Sequence, residues 1–413
     1  MGGGLLQLVA YGAQDVYLTG NPQITFWKVS YRRYTNFSME SIQQSLTGTP
    51  RLGQRCTCQI SRNGDLIHKM YLEINTTTGV ADNLADGGAF IFIDKVEVEI
   101  GGQMIDRHYG NWMYIWNKLS LSPSKFGGFN RMTRCNANDI VTGENTIGVK
   151  MTVPFEFWFC RNPGLALPLI ALQYHEVKLN IFFNESSKLD SGPETMDDGR
   201  VLGGANTFNI ASAIVWVDYI FLDTDERRRM AQNPHEYLID QVQLNNFTFN
   251  LNAGLNVFNC DLTFNHPVKE LIWAANRSQI PSKQRFTDFL DGDVFDGLTT
   301  RVLQLNGQDR FEKRDGAYFR ITQPYQHHTN VPVGFDFSLN GTFSSGINCY
   351  SFSLRPEEHQ PSGTCNFSRI DSARLQTEVI QNAAMAGLNL LIYAVNYNVL
   401  RIMSGMGGLA YSN

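Results

Sequence analysis

The 413-residue sequence is poor in charge, because Asp, Glu, Lys and Arg make up only 18% of it, whereas ordinary globular proteins carry about 25%. Long apolar runs are missing too. One of the longest, residues 164–172, covers about nine positions, and a membrane-spanning helix needs about 20. The hydrophobic content of 43% and net charge of -5 exclude a disordered chain. Such a chain is expected to hide much of its surface against other protein.

The sequence also lacks the marks of secretion and of nucleic-acid binding. The seven cysteines are scattered and form neither a disulfide framework nor a Cys-x-x-Cys zinc pattern, so we expect synthesis in a reducing compartment. The N-terminus shows no basic region before an apolar core, so no signal peptide is expected. The densest basic cluster, residues 227–229, adjoins Asp223, Asp225 and Glu226, which favours a self-paired, solvated segment over a nucleic-acid contact.

Motifs for catalysis or metal binding are absent as well. The His175-Glu176 and His235-Glu236 pairs lack the second His of a zinc-protease helix. The adjacent His327 and His328 are typical of a surface loop, and neither a nucleophile elbow nor a phosphate loop occurs. We therefore nominate no catalytic, cofactor-binding or metal-binding residue, and we expect no cofactor and no enzymatic activity.

Two groups of acids keep an alternative open, because β-sandwich glycosidases place two carboxylates around a sugar. Glu97 and Glu99 share one face of a predicted strand, and Glu357, Glu358 and His359 lie in a turn between prolines. A solvated or interface strand face and a polar turn are the simpler interpretations. A carbohydrate-active or sugar-binding β-sandwich remains the alternative function.

The dominant pattern is an alternation of apolar and polar residues, which predicts β-strands. Gly-, Asn-, Asp- and Ser-rich turns separate the alternating segments, as expected for a sandwich or barrel. The clearest predicted strands are residues 95–100, 149–159, 213–222, 247–252 and 388–402.

One helix stands out, over residues 224–232. Thr224 is the candidate cap, acids occupy the first turn, and Asn233-Pro234 ends the helix. Because this helix lies just past the midpoint between two strand-rich halves, we interpret it as an interdomain connector.

The two halves share an internal repeat. Residues 96–103 and 301–308 each contain an alternating strand that ends in a Gly-Gln turn, and each is followed by a charged segment. The match continues through Gly110 and Gly316, and then through the pairs Trp112-Met113 and Tyr318-Phe319. Since the offset is about half the chain length, the pattern favours two copies of one β domain.

Residues 352–371 carry a recognisable motif, in which Pro356, Pro361 and Gly363 shape a turn-rich excursion after a strand. This segment resembles a hallmark of the major capsid proteins of large nucleocytoplasmic DNA viruses, near the end of their second jelly roll. The resemblance is nearest to algal-virus and giant-virus members. Further matches follow in the family's order: residues 3–15 and 18–26 with the N-terminal arm and first strand, 161–177 with the first jelly roll, 222–229 with the linker, and 400–411 with the C-terminus.

The resemblance implies an all-β fold of two tandem eight-stranded antiparallel jelly-roll sandwiches with few short helices. It divides the chain into an N-terminal arm (residues 1–25), a first jelly roll (26–222), a linker with a short helix (223–236) and a second jelly roll (237–413). Residues 357–363 are then structural turn residues.

The implied function is that of a major capsid protein, a structural subunit that forms homotrimeric, pseudo-hexameric capsomers in the icosahedral shell of a large DNA virus. The expected partners are other copies of the chain, minor capsid proteins and, through the arm, an internal membrane; no direct nucleic-acid contact is expected. The expected location is the virion, after assembly in the host cytoplasm.

Overall fold

A computed structural model describes residues 3–76, 87–135, 150–185, 194–195, 201–202, 209–251, 254–277, 300–336, 341–344, 346–381 and 385–411. The chain divides into two compact units, Met1–Asn36 and Phe37–Asn413. In the described part of the chain, no helix is long and apolar enough to span a membrane.

The first unit contains two short helices, α1 (Gly3–Val9) and α2 (Ala13–Thr19), and neither has a buried residue. The resemblance placed a first strand near residues 18–26, and this expectation is wrong. The α2 helix extends through Thr19, and β1 begins only at Phe37.

The first half of the larger unit forms a sandwich of two antiparallel sheets, in the orders β1-β11-β3-β6 and β2-β8-β4-β5, with β7 beside β3 and β9 paired with β10. Its strands are β1 (Phe37–Gln44), β2 (Arg55–Gln59), β3 (Leu66–Thr76), β4 (Ile93–Ile100), β5 (Gln103–Tyr109), β6 (Lys150–Pro154), β7 (Leu167–Pro168), β8 (Val177–Phe183), β9 (Glu194–Thr195), β10 (Val201–Leu202) and β11 (Ile210–Leu222).

The second half repeats this arrangement, with sheets in the orders β12-β23-β14-β20 and β13-β22-β15-β16. Its strands are β12 (His235–Leu251), β13 (Gly254–Asp261), β14 (Pro267–Arg277), β15 (Thr300–Leu305), β16 (Gln308–Asp309), β17 (Arg314–Asp315), β18 (Val333–Asp336), β19 (Gly341–Ser344), β20 (Asn348–Ser351), β21 (Cys365–Asn366), β22 (Ala373–Gln381), β23 (Met385–Met403) and β24 (Met406–Leu409).

The strand orders of the two sandwiches correspond one to one. Each sandwich has a sheet made of its first, last, third and sixth principal strands, and a facing sheet made of the second, seventh, fourth and fifth. This is the eight-stranded jelly roll, present twice, so the predicted all-β fold of two tandem jelly rolls is confirmed.

The internal repeat occupies the same hairpin in both sandwiches. In β4–β5, Ile100 pairs with Gln103 around Gly101 and Gly102, whose φ angles are 58° and 86°. In β15–β16, the equivalent two-residue turn has φ angles of 51° and 76°. Two successive positive φ angles define the hairpin turn that matches the strand twist, which explains the shared Gly at this point.

The helices of the larger unit are short and lie mainly in connections: α3 (Gly110–Ser120), α4 (Phe126–Thr133), α5 (Trp158–Arg161), α6 (Thr224–Gln232) and α7 (Gln323–His327). A π-helical turn, Tyr318–Thr322, leads into α7. The predicted helix after the midpoint is α6, but Asp223 caps it rather than Thr224, because the Asp223 carboxylate accepts the Thr224 N–H at 2.8 Å.

Most predicted strands are confirmed, but the strand expected over residues 149–159 is too long. The β6 strand ends at Pro154, and α5 begins at Trp158. Pro154 brings no N–H to the sheet, and Phe155, Phe157 and Phe159 are all buried off the strand. Their alternation therefore reflects burial in the core and not a continuous strand.

The hydrophobic core of the first sandwich extends onto the second sandwich, which has a further core of its own. Along β14 and β23, Ile272, Ala274, Tyr393 and Val395 belong to the cluster formed by the first sandwich. The alternate residues on the same strands pack inside the second sandwich. Because neighbouring side chains of a strand point to opposite faces, the outer face of the sheet β12-β23-β14-β20 packs against the first sandwich.

Candidate functional site

Glu97 and Glu99, two of the acids that suggested a glycosidase, have hydrogen-bond partners within their own sheet. Glu97 accepts hydrogen bonds from Arg107 Nε at 2.7 Å and from Lys95 Nζ at 3.0 Å. Burial works to raise the pKa of Glu97, but these two partners hold it below its usual value. Glu99 accepts a hydrogen bond from Asn180 Nδ2 at 3.1 Å. Both carboxylates are therefore engaged in contacts within the sheet.

The two His-Glu pairs have structural contacts of their own. Gly407 donates its N–H to Nδ1 of His175 at 3.1 Å, and Nε2 of His235 lies 2.8 Å from the carbonyl oxygen of Met230. Among the residues that the structure describes, no group of three or more His, Cys, Asp or Glu side chains could hold a metal ion.

The cysteines and the arginine cluster also make structural contacts within the chain. All seven cysteines are free thiols. Cys56 and Cys58 point together into the core, and burial raises the pKa of Cys58 to about 12. Arg227 pairs with Asp65 at 3.0 Å rather than with its neighbours in sequence, whereas Arg229 pairs with Glu226 at 3.4 Å.

The side chain of His328 is buried, although its sequence context predicted a surface loop. Its Nδ1 lies 2.9 Å from Glu357 Oε1, and its Nε2 lies 3.0 Å from Glu270 Oε2; the side chains of His328 and Glu270 are fully buried. Glu357 also accepts hydrogen bonds from the backbone N–H and the hydroxyl of Thr329. Glu357 of the recognisable motif thus holds the turn after α7 in place through His328 and Thr329.

Electrostatics favour the charged forms of His328 and Glu357, as the pKa shifts of both groups show. Burial would lower the pKa of His328, but Glu270 and Cys349 raise it well above 6.5. Burial would likewise raise the pKa of Glu357, whereas hydrogen bonds from His328 and Thr329 lower it. A protonated imidazole can donate from Nδ1 to Glu357 while Nε2 lies within ion-pair distance of Glu270, so the arrangement is a charged bridge between β14 and the motif.

The clamped turn also contacts the first sandwich. Asn330 donates its backbone N–H to the carbonyl oxygen of Leu119 at 2.9 Å and its side-chain amide to that of Lys118 at 2.7 Å. These carbonyls lie in the last turn of α3, where helical partners are missing. The second jelly roll therefore caps a helix of the first.

A second charged cluster crosses the same boundary. Asp240 on β12 lies 2.9 Å from Nζ of Lys269, whose side chain is fully buried, and 3.4 Å from Arg161 of the first sandwich. The Arg161 guanidinium also lies 4.2 Å from the centroid of the Trp116 ring. A buried cation needs such a partner, because an unpaired charge in the interior is costly.

Further contacts complete the boundary between the sandwiches. Val242 donates its N–H to Asp106 Oδ1 at 3.1 Å, and Gln241 donates to the carbonyl oxygen of Ile105. Near the C-terminus, a Cβ added to Gly405 would lie 2.5 Å from the Tyr174 ring. Together these contacts form an interdomain seam that joins one jelly roll to the other.

Sequence reasoning missed Asp240, Lys269, Glu270 and His328, because their partners are distant in sequence. One signal was available: Lys269-Glu270 interrupts the apolar run of β14. Charged residues inside a buried strand indicate a paired interior site.

The Met1–Asn36 unit is a separate candidate for interaction. Its described residues include many exposed large apolar side chains, a composition that is typical of a surface covered by a partner. They are Leu5, Leu6, Leu8, Val9, Tyr11, Val16, Tyr17, Leu18, Ile24, Phe26, Trp27, Val29, Tyr31 and Tyr34.

Two family models match the chain. One, described as the major capsid protein N-terminus, matches residues 25–223, and the other, described as the large eukaryotic DNA virus major capsid protein, matches residues 226–408.

Individual proteins are similar over the whole length. The chain is 48% identical over 428 residues to the major capsid protein of Pyramimonas orientalis virus and 43% identical over 462 residues to that of Paramecium bursaria Chlorella virus 1, with 100% of each chain covered. The crystal structure of PBCV-1 VP54 matches with a TM-score of 0.75 and 38% identity, covering 94% of this chain and 100% of the other.

Proposed function

Because this chain belongs to the large eukaryotic DNA virus major capsid protein family, we propose that three copies form a pseudo-hexameric capsomer in an icosahedral shell. The chain is a capsid subunit and a component of the virion shell. The single observation that supports the trimer is the repeated strand order of the two sandwiches. Two similar domains in each of three copies supply six near-equivalent corners, which pack in a hexagonal lattice.

The proposed domain limits are those of the sequence analysis: an arm over residues 1–25, jelly rolls over 26–222 and 237–413, and a linker over 223–236. The position of α6 between β11 and β12 supports the linker. The family matches, which end at residue 223 and begin again at residue 226, support it as well.

The arm and the residues that follow it are proposed to bind other components of the particle. The exposed apolar side chains of the Met1–Asn36 unit are suited to contacts with neighbouring copies, minor capsid proteins or an internal membrane. Assembly is proposed to take place in the host cytoplasm.

The proposed role is purely structural, without catalysis and without direct contact with nucleic acid. The net charge of -5 and the pairing of Arg227 with Asp65 support the second point. The engagement of Glu97, Glu99 and Glu357 in structural contacts supports the first.

Light scattering of the purified chain tests the trimer. The expected mass is about three times 46.6 kDa. A stable monomer that binds or hydrolyses glycans would contradict the proposal and favour the sugar-binding alternative.

A further inference from the structure

The internal repeat extends into the helix that follows the β4–β5 hairpin. It aligns Trp112-Met113 with Tyr318-Phe319, and therefore Ile115 with Ile321 and Leu119 with Tyr325. Met113 and Phe319 are both fully buried. The two helical segments thus hold equivalent positions in their sandwiches.

In the first sandwich, the seam covers one face of this helix. Trp112, Ile115, Trp116 and Leu119 recur at helical spacing on one side of α3, and none is more than 3% exposed. Trp112 lies 5.2 Å, ring to ring, from Tyr393 on the outer sheet face of the second sandwich. The cover of α3 is therefore provided in part by the second jelly roll of the same chain.

In the second sandwich, the aligned positions are less covered, since Tyr318 and Thr322 are only half-buried and Ile321 and Tyr325 are exposed. Ile321 is 48% exposed and Tyr325 is 79% exposed, although the aligned Ile115 and Leu119 are fully buried. Leu354 is also exposed, and its carbonyl oxygen lies 3.0 Å from Nδ1 of His327 at the end of α7. Two helical segments at equivalent places in the repeat, α3 and Tyr318–His327, thus differ in how far a sandwich covers them.

We propose that Ile321 and Tyr325 dock on the first jelly roll of a second copy of this chain. The docking surface is the outer face of the sheet β1-β11-β3-β6, the counterpart of the sheet face that covers α3 within the chain. The proposed contact between copies thus repeats the contact that joins the two domains of one copy. This inference rests on the proposed trimer and deepens it by naming the two surfaces.

The proposed docking face offers suitable side chains. Val215 and Val217 of β11 point into the core, so Ile214 and Trp216 point outward, where both are half-buried. Trp216 donates its indole N–H to Glu73 on the neighbouring strand β3 at 3.2 Å, which holds the ring across the sheet. The proposed contact places apolar residues of the helical segment against the Trp216 ring. Within one chain, Trp112 of α3 packs against the Tyr393 ring in the same way.

Substitution of the helix face tests the contact. The double variant Ile321→Asp with Tyr325→Asp should reduce the mass seen by light scattering from about three copies to one, each of 46.6 kDa. The matched control is Leu255→Asp, because Leu255 is a 62% exposed apolar residue on β13, and it should remain trimeric. Retention of the trimer by the double variant, or its equal loss in both variants, overturns the inference.

A photo-crosslinking residue at position 325 tests the same contact without a disruptive charge. The expected product joins two copies and maps to peptides from β11 or β3. Crosslinks from a trimer to other peptides overturn this inference but leave the proposed function intact. A wild-type chain that is monomeric by light scattering instead overturns the proposed function itself, so the two failures are distinguishable.

Discussion

Nδ1 of His328 lies 2.9 Å from a carboxylate oxygen of Glu357, and this contact ties the recognisable motif to the turn after α7. The other ring nitrogen faces Glu270 at 3.0 Å, so one imidazole connects a strand, a turn and a loop. Asn330 in the same turn reaches the end of α3. Through His328 and the turn that follows it, the motif therefore helps to fix the second jelly roll against the first.

Removal of the imidazole should destabilise the fold strongly. His328→Ala leaves Glu270 buried without its partner, which typically costs about 3–5 kcal/mol of unfolding free energy. Urea unfolding at a fixed protein concentration, which matters for an oligomer, measures this loss. His359→Ala is the matched control, and an equal loss in both variants would contradict the bridge.

The contribution of Glu357 should depend on pH. Because its folded pKa is below the usual 4.5, its stabilisation is present above pH 4.5 and is lost as the pH falls through the folded pKa. The stability difference between the wild type and Glu357→Gln should therefore shrink in acid. Glu358→Gln, which removes a largely exposed pair with Arg355, should show little difference at any pH. A difference for Glu357→Gln that stays constant down to pH 2 would refute this account.

The contribution of His328 should have the opposite sign. Its folded pKa is raised above 6.5, so its stabilisation is present below pH 6.5 and is lost as the pH rises through the folded pKa. NMR titration of the imidazole measures that pKa directly. An imidazole that titrates at or below 6.5 in the folded chain would exclude the charged bridge.

The Asp240 cluster should matter far more than an exposed ion pair on the same strand. Asp240→Asn leaves the fully buried Lys269 without a charged partner, at a cost of about 3–5 kcal/mol. Glu236→Gln breaks a half-exposed pair with Arg401 and should cost less than about 1 kcal/mol. Similar losses in the two variants, measured by urea unfolding, would show that the seam does not depend on Asp240.

Two adjacent glycines provide a test of the hairpin turn. Gly101 and Gly102 both have positive φ, so Ala at either position should cost about 1–2 kcal/mol. At Gly101 the added Cβ would also lie 2.3 Å from the His175 ring, whereas no atom lies within 4 Å of it at Gly102. Gly101→Ala should therefore be clearly the more destabilising in thermal unfolding. Equal effects would mean that the contact between the turn and His175 is easily relieved.

Sequence patterns were sufficient for the repeated architecture but not for the seam. The Gly-Gln turn could be predicted to recur because its positive φ angles restrict the local sequence in each sandwich. Alternation alone could not locate the end of β6, since Phe155 and Phe157 continue the pattern after the strand stops. The burial of His328 was unpredictable because Glu357 lies 29 residues further along the chain and only tertiary packing unites them.

Electron microscopy of capsomers purified from this chain is the decisive test of the pseudo-hexameric trimer. We expect particles with threefold symmetry and a six-cornered outline, in which each copy supplies two adjacent corners. Particles of any other symmetry, or isolated single chains under the same conditions, would contradict it.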